Sequence, residues 1–192
     1  MKKMYSSFIV LIFVFSGYKS LFSQDNDEHK NISKFVNNKG EIFFPKDFRT
    51  SMVHLGSWFV PKGEASGFHG VFTQPKSLKA FQETGKFPDG TVIVKELRAF
   101  KPGNFTTGEN VQHETQVIKQ WFVMVKDGKN RFAKNNKNWG DGWGWALFKP
   151  DTPFKNVSTN YKIDCIGCHI PAKDSDWIYV DSYPILFEKN KQ

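Results

Sequence analysis

The spacing of apolar positions along the chain predicts two short helices. Phe48, Met52 and Leu55 recur at helical intervals, so a first helix is expected over residues 48–57. A second is expected over residues 77–84, where a glycine follows as a helix stop.

Four stretches rich in β-branched and aromatic residues predict strands. They are residues 67–73, 91–94, 117–126 and 139–148. The turn sequence Pro88-Asp89-Gly90 precedes the second stretch, and Asp127-Gly128 after the third is a hairpin signal. We find no internal repeat and no linker. The pattern therefore predicts a single domain of the α+β class, β-dominant, with an antiparallel sheet and a few flanking helices.

The first 23 residues have the features of a secretory signal peptide. Two lysines precede an apolar run over residues 8–15, and the small residue Ser23 offers a cleavage point. An uncleaved anchor is the alternative, although the run is shorter than the ~20 residues of a membrane-spanning helix. A flexible segment over residues 24–39 and a folded domain over residues 40–192 are expected to follow. The protein is therefore predicted to be periplasmic, with no membrane span after cleavage.

Charge and composition narrow the function classes only a little. The net charge is +8, and removing the three lysines of residues 1–23 leaves +5. The basic residues are scattered rather than clustered, which argues against nucleic-acid binding and fits solubility or the steering of a redox partner. Aromatic residues make up 16% of the chain, which suits a large apolar cofactor but is also found in ordinary cores.

The strongest chemical signal is the string Cys165-Ile166-Gly167-Cys168-His169, which contains both cysteines of the chain. A Cys-x-x-Cys-His string is the attachment signature of c-type haem, with two thioethers to the macrocycle and the histidine as axial ligand to iron. A thioredoxin-like pair normally opens a helix after an early strand, and a zinc site needs further ligands at matched spacing. The sequence therefore predicts one covalently bound haem, packed against the sheet.

The second axial position decides what kind of cytochrome this is. Only 23 residues follow His169, and they contain neither methionine nor histidine. Met52 and Met124, the methionines after the signal peptide, lie on apolar periodic segments and are expected in the core. An open sixth position is favoured, which indicates small-ligand binding or chemistry at iron. A methionine-ligated electron-transfer cytochrome is the alternative.

These residues together resemble the cytochrome P-460 family from about Gly40 to Leu186. The most specific segment begins with Phe87-Pro88-Asp89-Gly90-Thr91 and ends with Lys95-Glu96-Leu97. The resemblance also includes Pro150-Asp151-Thr152-Pro153, the haem string and Tyr183-Pro184-Ile185-Leu186.

The resemblance implies a periplasmic, largely antiparallel β protein, commonly a homodimer. Members oxidise hydroxylamine to nitrous oxide, nitric oxide or nitrite, and pass electrons to a partner cytochrome. In the namesake enzymes a lysine is joined to a haem meso carbon, and that lysine falls on Lys95. Strand alternation puts Lys95 on the same face as Thr91 and Ile93. From composition alone, a solvated strand lysine is the favoured interpretation of Lys95, and the cross-link is favoured only with the resemblance to the family.

Related proteins, the cytochromes c′-beta, share the fold without the cross-link and bind nitric oxide or carbon monoxide in a phenylalanine-lined pocket. Phe59, Phe68, Phe72 and Phe122 are the candidates for such a distal pocket, with core packing as the alternative for each. Phe122 aligns where some hydroxylamine-oxidising members carry a carboxylate. An apolar residue there cannot take protons from hydroxylamine.

Two further residues are candidates for proton transfer. His69 lies where the family often has a basic or polar residue facing the haem, and a neutral imidazole could bond an iron-bound ligand. Asp164 directly precedes the first haem cysteine and could accept a proton. A surface position is the alternative for His69, and a capping role is the alternative for Asp164. Three functions remain open: an enzyme acting on hydroxylamine, a nitric oxide-binding protein and an electron carrier.

Overall fold

The computed structural model describes residues 32–188, so the predicted signal peptide over residues 1–23 and the residues up to 31 lie outside it. The α-helices are α1 (Phe48–Ser51), α2 (Pro75–Thr84), α3 (Tyr161–Asp164) and α4 (Ile166–His169). The strands are β1 (Val53–Val60), β2 (Gly67–Thr73), β3 (Val92–Phe105), β4 (Gly108–Lys126), β5 (Trp139–Gly140) and β6 (Trp143–Phe148). Three 3₁₀ turns follow at Ile170–Ser175, Val180–Ser182 and Pro184–Phe187.

All six of these strands form one antiparallel sheet in the order β1-β2-β3-β4-β6-β5. The predicted β-dominant α+β fold with a few short helices is therefore confirmed. Strand β2 has the predicted bounds, and β3 and β4 are longer than the predicted stretches because they pair as one hairpin. Among the residues described, no helix is long and apolar enough to cross a membrane.

The first predicted helix is wrong over most of its length. Helix α1 is a single turn, and the backbone becomes extended at Met52. Residues 53–60 instead pair with β2, and Leu55, at an irregularity in this pairing, is 3% exposed in the core of the first face. Tertiary pairing has overridden a helical spacing that only three residues carried.

Two turn or stop signals in the sequence, at Gly85 and at Asp127-Gly128, had different outcomes in the structure. Helix α2 spans Pro75–Thr84 and is capped by Gly85, whose φ of 71° suits glycine, so the second predicted helix is confirmed. The hairpin signal at Asp127-Gly128 is wrong, because the returning strand begins only at Trp143. The buried carboxylate of Asp127 accepts hydrogen bonds from the backbone and side chain of Arg131, which stabilises a longer loop instead.

The sheet separates two apolar cores. On its first face, Val71, Ile93, Met124 and Trp145 pack beneath the C-terminal segment that carries the cysteines. On its second face the core consists mainly of Val92, Val94, Val123, Val125, Ala146 and Phe148, with Val36, Ile42 and Phe48 from the N-terminal part. Val36 is buried and bridges to Ile42, so packing begins upstream of the predicted start near Gly40.

A buried ionic cluster fixes strand β3 on the second face. Glu96 is 5% exposed and accepts hydrogen bonds from Arg49, from Arg98 Nε at 2.6 Å and from Trp121 Nε1 at 2.9 Å. Removing one partner of a buried ion pair leaves the other charges uncompensated. We therefore expect Glu96→Gln to lower the free energy of unfolding by about 3 kcal/mol, measured by urea denaturation.

The matched control for this prediction is Glu83→Gln. Glu83 and Lys79 form an exposed pair at 4.0 Å on α2. Loss of this ion pair should lower the free energy of unfolding by no more than about 0.5 kcal/mol. Equal effects of the two substitutions would contradict the structural role given to Glu96.

Candidate haem site

The cysteine-bearing segment is held by a capped loop. Asn160 caps α3 by accepting from the Lys162 amide at 3.1 Å. The Asp164 carboxylate accepts from the amides of Thr159 at 2.8 Å and Asn160 at 3.2 Å, and from the Ser158 hydroxyl at 3.1 Å. These hydrogen bonds lower the pKa of Asp164. An exposed carboxylate held in this way stays ionised and is poorly suited to the proton-acceptor role expected for it.

The two cysteines lie in different surroundings. Neither is in a disulfide; Cys165 is buried, and Cys168 is exposed. Burial raises the pKa of the Cys165 thiol to about 11. Within residues 32–188, no group of three or more His, Cys, Asp or Glu side chains could hold a metal ion.

His169 has its tautomer fixed by the backbone. Its Nδ1 lies 2.7 Å from the carbonyl oxygen of Trp177, which can only accept, so Nδ1 carries the proton. The ring stands edge-on to Trp145, with 4.9 Å between ring centroids. Burial lowers the pKa of His169, so the imidazole is neutral and Nε2 keeps its lone pair. This is the form in which histidine binds a metal.

Lys95 lies on the first face, opposite Val71 on β2 and Phe122 on β4. Its Nζ is 4.2 Å from the centroid of the Phe122 ring. Burial lowers the pKa of the Lys95 amine, while the nearby thiols of Cys168 and Cys165 raise it. The charge of Lys95 in turn lowers the pKa of His169. The structure thus brings Lys95 together with the cysteine-bearing segment.

His69 is on the same face of the sheet as Lys95, in the next set of cross-strand partners, and is 4% exposed. His69 pairs with Leu97 and is therefore a diagonal neighbour of Lys95 on the adjacent strand, and, besides burial, the charge of Lys95 lowers the pKa of His69. The Nε2–H group donates to the Ala65 carbonyl at 2.7 Å, and the ring stacks on Trp58 at 5.2 Å. Nδ1 is buried and has no partner among the described residues. Burial lowers the pKa of His69, so Nδ1 is an unprotonated acceptor.

Comparison with known families gives a match to Cytochrome P460 over residues 45–180. This match covers well over half of the chain. The chain belongs to the Cytochrome P460 family. Comparison with curated proteins gives no significant match. Membership makes haem the cofactor of this P460 protein, and the resemblance drawn from the sequence motifs is confirmed.

Of the four phenylalanines expected to line a distal pocket in this P460 protein, only Phe122 lies on the face of Lys95. Phe68 and Phe72 alternate with His69 and Val71 along β2, so they lie on the second face. Phe59 packs there against Phe68 at 4.8 Å. Alternation along each strand therefore separates these three rings from the haem motif, and the expectation is corrected.

Phe68 and Phe72 do line a cavity, of about 400 Å³, on the second face. Its walls also include Arg49, Glu96 and Arg98, so it is charged rather than apolar. The sheet separates it from Cys165 and His169, and it is not part of the haem site.

The residues of this P460 protein fit a haem on physical grounds. Several large apolar side chains beside the haem motif are exposed: Ile163 at 78%, Ile170 at 58% and Tyr179 at 38%. Ile163 and Ile170 flank the motif along the chain, and the Tyr179 ring lies 6.1 Å from the His169 ring, so these side chains are available to contact a bound apolar group. The free lone pair of His169 and the orphaned Nδ1 of His69 supply one ligand and one acceptor on the same side of the sheet.

Two contributors to the site escaped the sequence analysis. Trp145 packs against the ring of His169, and the backbone carbonyl of Trp177 accepts a hydrogen bond from His169 Nδ1. Alternation on the strand predicted over residues 139–148 could have assigned Trp145 to a face. The backbone carbonyl of Trp177 leaves no sequence signal, because every residue carries one.

Proposed function

We propose that this protein is a periplasmic cytochrome that holds one haem covalently through Cys165 and Cys168, with His169 as axial ligand, and oxidises hydroxylamine. The observation that carries the proposal is the arrangement along the first face. His169 contacts Trp145. Lys95 belongs to the next set of cross-strand partners on this face of the sheet, and His69 belongs to the set after that. A ligand, a buried amine and a proton acceptor thus share one face of the sheet, and the amine lies near the two cysteines.

The haem, when bound, supplies an iron centre that binds a small nitrogen ligand and accepts its electrons. The chain's own contribution begins with His169, whose Nδ1 hydrogen bond to Trp177 keeps Nε2 available and the ring oriented. Cys165 and Cys168 hold the macrocycle next to that ring.

Lys95 is proposed to be joined covalently to the haem, as in the namesakes of the family. Forming the N–C bond at the meso carbon removes one hydrogen from the amine and one from the carbon, so the step needs a two-electron oxidant such as a peroxide. It also needs the neutral amine, because a lysine must be neutral to act as a nucleophile. Burial already favours the neutral amine.

His69 is proposed to take protons from hydroxylamine. With Nε2–H committed to Ala65, Nδ1 can only accept, and it can accept from an N–H or O–H group of the substrate. Oxidation removes protons together with electrons, so an acceptor in the pocket is required. His69 therefore supplies the base that Phe122 cannot.

Replacing His69 by phenylalanine is expected to lower hydroxylamine oxidation by about 10²- to 10⁴-fold, the usual contribution of a general base. Nitric oxide binding to the reduced protein should persist, since it needs no proton transfer. His54→Phe is the control, because His54 is exposed and lies on the second face beside Phe72. Steady-state turnover and nitric oxide titration are the measurements. A variant at His69 with unchanged turnover would exclude it as the base.

The pH profile offers a separate prediction. The pKa of His69 is lowered below 6.5, so the acceptor form persists at pH 6.5 and is lost as pH falls through the lowered pKa. Turnover should therefore fall on the acid side at a pH below 6.5. Unfolded chains bind the proton more readily in that window, so the free energy of unfolding should fall as well. His69→Phe should remove this acid limb, and His54→Phe should keep it.

The test of the proposed function is the visible spectrum of the dithionite-reduced protein, followed by hydroxylamine turnover. A Soret band well to the red of an ordinary ferrous c-type haem, together with turnover, is the expected result. An ordinary Soret band without turnover would reject the enzyme and favour the second candidate, a nitric oxide-binding cytochrome of the c′-beta type. The contact of Lys95 with the apolar ring of Phe122 is the observation in favour of that candidate.

An electron-transfer cytochrome is less well supported. Met52 packs with the second-face core, away from His169, and Met124 is buried between Ile93 and Trp145. A partner cytochrome as electron acceptor and a homodimer remain part of the proposal, carried from the family.

A further inference from the structure

The chain turns sharply directly after the 3₁₀ helix Ile170–Ser175. Asp176 and Trp177 both adopt left-handed backbone, with φ of 59° and 66°. Neither residue is glycine, and a positive φ is unfavourable for a bulky tryptophan. Two such residues in succession persist only where other contacts hold them.

This turn directs the backbone carbonyl of Trp177 toward His169, the proposed haem ligand. The Trp177 amide donates to the Ala172 carbonyl at 2.8 Å, and its own carbonyl accepts from His169 Nδ1 at 2.7 Å. In a relaxed continuation of the 3₁₀ helix that carbonyl would point elsewhere. The strained backbone at Asp176 and Trp177 therefore places this carbonyl where it accepts the hydrogen bond from His169.

Asp176 is fixed by two residues of the sheet. Lys126 Nζ donates to its Oδ1 at 2.7 Å, and Trp143 Nε1 donates to its carbonyl at 3.0 Å and lies 3.3 Å from Oδ1. Lys126 and Trp143 are paired across β4 and β6, and the indole of Trp143 is fully buried. Gly142 leaves room for the ammonium group, because a Cβ there would lie 3.1 Å from Nζ.

We propose that Asp176 is a positioning residue for His169, which it serves through the Trp177 carbonyl. The Lys126–Asp176 ion pair holds the strained turn to the rigid sheet, and the turn keeps the Nδ1 hydrogen bond in place. That bond orients the imidazole and increases electron donation from Nε2 to a bound metal. The inference rests on the proposed role of His169 as haem ligand and assigns what fixes that ligand.

The test compares the haem-loaded wild-type protein with Asp176→Ala and Lys126→Met. The measurements are the iron–histidine stretching frequency of the ferrous protein, by resonance Raman spectroscopy, and the midpoint potential. Both variants should shift the stretch to lower frequency and raise the potential, because a weakened Nδ1 bond makes the imidazole a poorer donor. Lys126→Met keeps an apolar side chain over the Trp143 ring and carries the test if Asp176→Ala does not fold.

Two further variants separate positioning from general damage. Asp174→Ala removes an exposed carboxylate from the same 3₁₀ helix and should leave the stretch unchanged. Asp176→Gly removes the ion pair, but glycine adopts a positive φ freely, so its shift should be smaller than that of Asp176→Ala. An unchanged stretch in both Asp176→Ala and Lys126→Met would overturn the positioning role alone. An iron–histidine stretch that persists unchanged in His169→Ala would overturn the proposed ligation by His169 and the positioning role with it.

Discussion

Replacing Cys165 and Cys168 together by alanine is expected to abolish covalent haem attachment. Thioethers to both cysteines are the proposed links, and the chain has no other cysteine to substitute. The measurement is haem staining after denaturing electrophoresis, with the pyridine haemochrome spectrum of the soluble protein. Each single variant should keep one thioether and show the spectrum of a haem with one vinyl group free.

Lys162→Ala is the matched control for the cysteine variants. Lys162 is exposed on α3, three residues before Cys165, and its side chain takes no part in the proposed attachment. It should stain as strongly as the wild type. Haem that stays attached in the double alanine variant would reject attachment through these cysteines.

The second large effect is expected from Lys95→Met. Methionine keeps the length and packing of the side chain but cannot form the proposed bond to the haem. The Soret band of the reduced protein should move to the position of an ordinary c-type haem, and hydroxylamine turnover should fall by about 100-fold, or about 2.7 kcal/mol of barrier. Nitric oxide should still bind, because neither iron nor its axial histidine has changed.

Lys101→Met is the control for this experiment. Lys101 is an exposed lysine on the same strand, in the part of β3 that extends beyond β2. It should keep both the spectrum and the turnover of the wild type. If the Lys95 variant instead kept a red-shifted Soret band, the cross-link would lie elsewhere or not exist.

Much of the fold follows from local signals in the sequence. The strand over Gly67–Thr73 and the end of α2 at Gly85 are where β-branched content and a glycine stop predict them. The region after Asp47 is different, because residues 53–60 become a strand only by pairing with β2. Propensity within one segment cannot anticipate a pairing that depends on a distant one.

The residues of the candidate site likewise divide into those that the sequence predicts and those that it does not. The haem motif is contiguous, so its residues could be named from the sequence, and alternation correctly puts Lys95 and Ile93 on one face. The same alternation, applied to β2, separates Phe68 from His69, yet both were expected at the haem. The Nδ1 bond from His169 to Trp177 depends on two left-handed residues, which no sequence pattern announces.

The burial of Cys165 has a consequence for the order in which the protein matures. In the folded chain this thiol is enclosed and has a pKa of about 11, so very little thiolate is present at neutral pH. Only the thiolate is a strong nucleophile, and an enclosed sulfur is hard for a large macrocycle to reach. On the proposed attachment through Cys165, haem would therefore have to be joined to the chain before this segment folds. A chain that folded before it met haem would have closed off one of the two proposed attachment points.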